Sequence, residues 1–236
     1  MGKGAKRAVF GSAVAVCALA LVAAAVLRRA SPPPEWSPWA SLDLESPPNF
    51  LTSYKLSQLS NDRAACEQVL ADAQMSYVWQ PDQETGPACG LFDAVTIERT
   101  ASDVGEPFSL TCRTAVSLAL WEKHVLRPAA LAHFGAPVTR IEHFGSYSCR
   151  NVYGRPSATR SRHATAEAFD VAGFVLADGR RVRVLGDWDQ GSPESAFLRE
   201  VRDGACRFFD AVLGPDYNDA HRDHFHFDRG PYRICR

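Results

Sequence analysis

The sequence predicts an α+β domain, with a mainly antiparallel sheet flanked by helices and a metal site at the sheet, behind an N-terminal transmembrane helix. Three observations predict it. Strand-like and helix-like segments follow one another without a regular strand-helix-strand repeat. An Asp178-Gly179 pair interrupts the apolar stretch Phe169 to Leu185, as a tight antiparallel hairpin requires. An apolar run from Ala8 to Leu27 stands apart at the N-terminus.

That run lies between Lys3, Lys6 and Arg7 on one side and Arg28-Arg29 on the other. Twenty residues of helix cover about 30 Å, the hydrocarbon thickness of a bilayer. The Arg28-Arg29 pair fits a retained signal anchor better than a cleaved signal, for which Ala23 and Ala25 would supply the exit site. Three basic charges before the run against two after it place the N-terminus in the cytoplasm. Residues 1–29 are therefore expected to be a single-pass inner-membrane anchor, with the C-terminal domain in the periplasm. Cysteine usage agrees with export. Outside the run stand Cys66, Cys89, Cys112, Cys149, Cys206 and Cys235, with no CxxC pair among them. They predict up to three disulfides in an oxidising compartment, the alternative being buried free thiols. The net charge of -1 carries no basic excess, so nucleic acid is not expected as a partner.

Residues 30–52 read as a linker. Pro32, Pro33, Pro34, Pro38, Pro47 and Pro48 make it stiff and extended, which would hold the domain off the membrane. Trp36 and Trp39 either rest at the lipid interface or pack on the domain. Folding is expected from Ser53, and residues 53–110 form an N-terminal part that could cover the site. Within it, Ser60 and Asp62 open a helix to about Gln74, with Ala65, Val69 and Ala73 on one face, and Ala94 to Arg99 is a short strand.

Residues 111–236 form the main domain. A long helix starts near Thr111, and Pro128 kinks it or begins a second one. Val138 to Phe144 alternates as a strand, and the Phe169 to Leu185 hairpin follows. Ser192 caps a helix with Pro193 at its first position. Its apolar face would run from Phe197 to Val212 until Gly214 and Pro215 end it. The last strand is His224 to Asp228.

Three of the seven histidines fall within His221-Arg222-Asp223-His224-Phe225-His226. On a strand, His224, His226 and Asp228 share one face, while Phe225 and Phe227 take the other. Neighbouring imidazoles beside a core need partners, and a metal is the commonest. Alternation would turn Asp223 away from the His224 face. A second polar cluster, Ser161 to Asp170, offers His163 and Asp170 as two ligands from one segment. Together with a ligand from the distant strand they would make a site with an open position. Upstream, Tyr147, Arg150 and Arg155 form a polar stretch in which an arginine fork suits a carboxylate. Cys149 suggests a disulfide that fixes it.

Ser161 to Asp170 resembles the Ser-x-His-(x)6-Asp signature of zinc peptidases that cut cell-wall peptides. That group holds the D-alanyl-D-alanine carboxypeptidases and dipeptidases, the lysostaphin-type endopeptidases and the zinc-bearing signalling domain of hedgehog. A glycine common in the motif is Ala166 here. His224-Phe225-His226 resembles the His-x-His signature. With His221 it resembles the longer form of the penicillin-insensitive murein endopeptidases. The stretch from about Cys112 to Cys235 is similar to the bacterial extensin-like C-terminal domain family, through Gly145 to Gly154 and His221 to His226.

The zinc-peptidase resemblance implies Zn2+ held by His163, Asp170 and His226, and His224 as general base or acid. His221 would stabilise the transition state or shuttle a proton. Arg150, Tyr147 and Ser161 would bind substrate, and Asp228 would orient a ligand from behind. The implied activity is cleavage of peptidoglycan peptides, of carboxypeptidase or endopeptidase type. A non-catalytic, zinc-stabilised module that binds cell wall is the alternative.

Overall fold

The computed structural model describes residues 16–22 and 32–236. The expected anchor over residues 1–29 lies outside the described residues except for 16–22, which are helical. Among the described residues no helix is long and apolar enough to cross a membrane.

The strands are β1 (Ser76–Trp79), β2 (Gln83–Gly86), β3 (Cys89–Leu91), β4 (Ala94–Arg99), β5 (Asp103–Thr111), β6 (Val138–Gly145), β7 (Ala168–Leu176), β8 (Arg181–Arg183), β9 (Ala211–Leu213), β10 (Phe225–Asp228) and β11 (Ile234–Cys235). The helices are α1 (Phe50–Gln58), α2 (Arg63–Ala71), α3 (Cys112–Trp121), α4 (Arg127–Phe134) and α5 (Pro193–Ala205). Nine strands make one sheet in the order β1-β4-β5-β6-β7-β10-β9-β11, with β8 also paired to β7. The β5–β6 and β9–β11 contacts are parallel and the other pairings antiparallel. The class is therefore α+β, with a mostly antiparallel sheet.

Local chemistry explains most elements. The Asp62 side chain accepts from Ala65 N–H and starts α2, and Ser192 accepts from Ser195 N–H and starts α5. Gly179, at φ 88, closes the β7–β8 hairpin that Asp178-Gly179 predicts. A π-turn over Glu122–Leu126 joins α3 to α4, ahead of Pro128. Trp121 is fully buried between sheet and helices, 5.2 Å from Phe227 and with its indole N–H on the Val201 carbonyl. Phe225 packs on Trp188 at 5.6 Å. Three disulfides join Cys66 to Cys112, Cys89 to Cys149 and Cys206 to Cys235.

Three expectations need correction. The linker is not extended away from the domain. Leu44 enters the core, and buried Lys55 donates to the Pro34 carbonyl at 2.8 Å and the Ser41 carbonyl at 3.5 Å, so order begins well before Ser53. Residues 53–110 are not set apart from the main domain, because β1, β4 and β5 belong to the main sheet. The helix after Ser192 stops at Ala205 rather than reaching Val212. There the Asp210 N–H donates to the Asp228 carbonyl, and Ala211–Leu213 pair with β10 as a strand.

Candidate metal centre

The site lies on the sheet face opposite Phe225 and Phe227, where β7 and β10 run side by side. Their register sets His226 directly across from Asp170 and Asp228 across from Ala168. Directly opposed residues point to one face, so two polar side chains meet there. His163 arrives from the single helical turn Arg162–Thr165 that leads into β7. Ser161 caps that turn by accepting the His163 N–H, and Ala166 leaves it in a left-handed conformation, at φ 54. This conformation explains why a glycine suits the position.

Three ligand-type atoms converge. His163 Nε2 and His226 Nδ1 are 3.1 Å apart. Asp170 Oδ1 lies 2.9 Å from His226 Nδ1, and its Oδ2 lies 3.2 Å from His163 Nε2. All three residues are buried, and the atoms fall within 4.8 Å of one another. The far sides of the rings fix their tautomers. His163 Nδ1 is 2.8 Å from the Ser146 carbonyl, which can only accept, so Nδ1 carries the proton. His226 Nε2 donates to Asp228 Oδ2 at 3.0 Å. Each ring thus turns a lone pair toward the other and toward a carboxylate. Such a set of acceptors calls for a cation, and these residues could hold a metal ion.

Without metal, a proton takes that place. Burial opposes charge on His226, but its hydrogen bonds with Asp170 and Asp228 outweigh burial and raise its pKa to about 9. Burial likewise opposes ionisation of Asp170. The bonds from His163 and His226 prevail and hold its carboxyl well below the usual carboxylate range.

Two more histidines stand beside the cluster. His224 Nε2 is 3.7 Å from Asp170 Oδ1, and its Nδ1 donates to Asp223 Oδ1 at 2.8 Å. The strand begins at Phe225 and not at His224, so Asp223 sits in a turn and reaches its neighbour. The expectation that alternation turns Asp223 away is therefore corrected. The His221 ring lies 5.3 Å from that of His224 and 5.9 Å from that of His226. Its Nδ1 is 2.8 Å from Asn218 Oδ1. The Ala220 backbone N–H, a donor only, also points to Asn218 Oδ1 at 3.1 Å, which fixes the amide orientation. His221 Nδ1 is therefore the protonated nitrogen and Nε2 the acceptor. Burial, with His226 and His224 nearby, lowers the His221 pKa to about 4, so the ring is neutral. Asn218 Nδ2 donates in turn to the Tyr153 hydroxyl at 2.9 Å, and Tyr153 is itself left-handed at φ 54.

All of these histidines line one cleft of about 550 Å³, together with Asp170, Asp228, Arg150, Ser161, Tyr153 and Tyr217. That volume is in the range of ordinary ligand-binding clefts. Arg160 is held by the Pro87 carbonyl and Asn151, and Arg162 by Glu167. The Arg150 guanidinium is exposed and has no hydrogen-bond or ion-pair partner among the described residues. Tyr147 does not line the cleft, and its hydroxyl bonds Thr85 on β2. The other three histidines serve the fold: His124 bonds the Leu44 carbonyl, His133 meets Glu200, and His143 bonds the Val104 carbonyl.

Residues 64–236 match the family model described as extensin-like protein C-terminus. The chain belongs to the extensin-like C-terminal family. The match begins well upstream of Cys112, so the family unit takes in α2 and β1 to β5 as well as the histidine cleft. No curated protein and no solved structure matches the chain.

Asp223, which alternation had set aside, belongs to the site, and Asn218 and Tyr153 join it without having been expected. Asn218 caps the turn Asp219–His221 through Ala220 N–H, and an Asn three residues before a His was a readable cap signal. Nothing in the sequence marked Tyr153, because its role depends on a left-handed backbone.

Proposed function

We propose that this extensin-like protein is a zinc-dependent peptidase that cleaves peptidoglycan peptides, tethered at the periplasmic face of the inner membrane. The observation that carries the reading is the convergence of two imidazole lone pairs and the Asp170 carboxylate, with both tautomers fixed from behind. Two nitrogens and one carboxylate oxygen suit zinc with a position left open. The Ser-x-His-(x)6-Asp and His-x-His spacings, which resemble those of zinc peptidases of the cell wall, support the substrate class. Bound zinc supplies a Lewis acid and brings the pKa of a water down toward neutrality.

The chain's own groups perform the proton transfers. His224 presents Nε2 beside Asp170, while Asp223 holds Nδ1–H and stabilises the imidazolium. That arrangement suits a base that accepts a proton and returns it to a leaving amine. His221, neutral with an Nε2 lone pair, accepts a hydrogen bond in the cleft and so stabilises the transition state rather than serving as a base. Arg150 is the cleft cation free to take a peptide carboxylate. Ser161 positions His163, and Asp228 orients His226.

The test is digestion of purified peptidoglycan by the zinc-loaded full chain, with products identified by mass spectrometry. New peptide termini from the unmutated protein, reduced by about 10²–10⁴-fold in His224→Ala, are expected. Zinc retention with no product from either protein, together with co-sedimentation with the peptidoglycan, would instead favour a zinc-stabilised wall-binding module.

A further inference from the structure

The polypeptide just past the N-terminal apolar run carries aromatic rings that the fold leaves in solvent. Trp39 is 88% exposed, Phe50 77%, Trp36 50% and Tyr54 48%. All four lie between residues 36 and 54, the segment that follows the apolar run. Trp36 and Phe50 lie 5.8 Å apart. Phe50 and Tyr54 are four residues apart on α1 and so share a face. Trp39 stands on the turn closed by the Ala40 N–H bond to the Ser37 carbonyl.

The backbone beneath them is pinned. Lys55 Nζ holds the Pro34 and Ser41 carbonyls, Asn49 Nδ2 holds the Glu35 carbonyl at 2.8 Å, and Leu44 is buried in the core. The rings therefore ride on the folded domain and not on a loose tether. Large apolar groups on ordered backbone gain from an apolar partner, and indole rings favour the headgroup level of a bilayer.

Sequence position names the partner. Trp36 is nine residues after Leu27, the end of the apolar run. Even fully extended, that reach is about 30 Å. Residues 32–54 contain Glu35, Asp43 and Glu45 but no Lys or Arg, so attraction to anionic lipid is not the driving force.

We propose that Trp36, Trp39, Phe50 and Tyr54 seat the domain on the headgroup layer of the bilayer that holds the apolar run. The inference rests on the tether reading and adds that the domain lies against the membrane. Contact is apolar, so it persists in neutral lipid and at high salt.

The experiment reconstitutes the full chain in phosphatidylcholine vesicles, with or without bromine on the upper acyl carbons, and reads tryptophan emission. The apolar run contains no Trp, so lipid quenching reports on the domain alone. Of the other three tryptophans, Trp121 and Trp188 are buried and Trp79 is half-buried under the Arg63 guanidinium, so they serve as unquenched controls. The expected result is a loss of emission in brominated vesicles that 1 M salt does not reverse. Trp36→Phe/Trp39→Phe should abolish that loss. Flotation with the vesicles but no quenching, or quenching that persists in the double variant, would overturn the seat alone. Failure to float would overturn the tether and the seat with it.

Discussion

His226 and Asp170 are direct cross-strand partners on β10 and β7, with His226 Nδ1 2.9 Å from Asp170 Oδ1. The register that joins them also sends Phe225 and Phe227 into the core. A slip of one residue would exchange the two faces, so the hydrophobic core itself specifies the site.

Without metal this pair makes stability depend on pH. The His226 pKa is about 9, above the unfolded value of about 6.5. A group raised on folding stabilises fully below its unfolded pKa, and that contribution is lost as pH rises through the folded value. The metal-stripped protein is expected to lose thermal stability between about pH 6.5 and 9, and the metal-loaded protein to keep it. Calorimetry of both forms measures this, and equal slopes would contradict it.

The turn before β10 should govern rate rather than metal binding. Asp223→Ala and Asn218→Ala each remove a partner that holds a cleft imidazole in its tautomer. Each is expected to lower kcat by about 10–100-fold, the usual scale for lost outer partners, with metal content unchanged. Metal analysis alongside kinetics separates the two effects, and loss of metal in either variant would assign these residues to the ion instead.

The Cys89–Cys149 bridge ties the β2–β3 hairpin to the loop bearing Arg150. Cys89→Ser/Cys149→Ser is expected to cost about 2–5 kcal/mol of stability. It should also raise KM for a carboxylate-ended peptide more than it lowers kcat. An unchanged KM would mean that the loop holds its shape without the bridge.

Much of the site was legible because short-range pattern controls it. Two-residue alternation put His226 on one face of β10, and the spacing of His163 and Asp170 placed a turn before a strand. Caps at Asp62 and Ser192 and the turn at Gly179 were equally local. What was not legible depends on distant contacts. Phe208, Phe209 and Val212 continue a helical pattern, yet pairing with β10 and the Cys206–Cys235 bridge draw that segment into the sheet. The proline-rich segment reads as a free tether, and the burial of Leu44 and the bonds of Lys55 and Asn49 to its backbone show otherwise. Asp223 was misjudged because the strand starts one residue later than expected.

Glu122, buried in the π-turn, gives a prediction about the fold alone. Burial raises its pKa against the opposing hydrogen bond from Ser102, at 2.7 Å. A carboxyl raised on folding supports the native state below the unfolded value of about 4.3 and loses that support as pH rises. Glu122→Gln should therefore match the unmutated protein near pH 4 and be the more stable at pH 7 to 8. Urea unfolding at both values tests this, and a variant less stable at pH 8 would show that the charge itself is needed.

We propose that His163, Asp170 and His226 hold a catalytic metal. This is tested most directly by metal analysis of the purified full chain beside Asp170→Ala and His224→Ala. About one zinc per chain is expected in the unmutated protein and in His224→Ala, and none in Asp170→Ala. An unmutated protein that takes up no metal, even when supplied with zinc at pH 8, would contradict it.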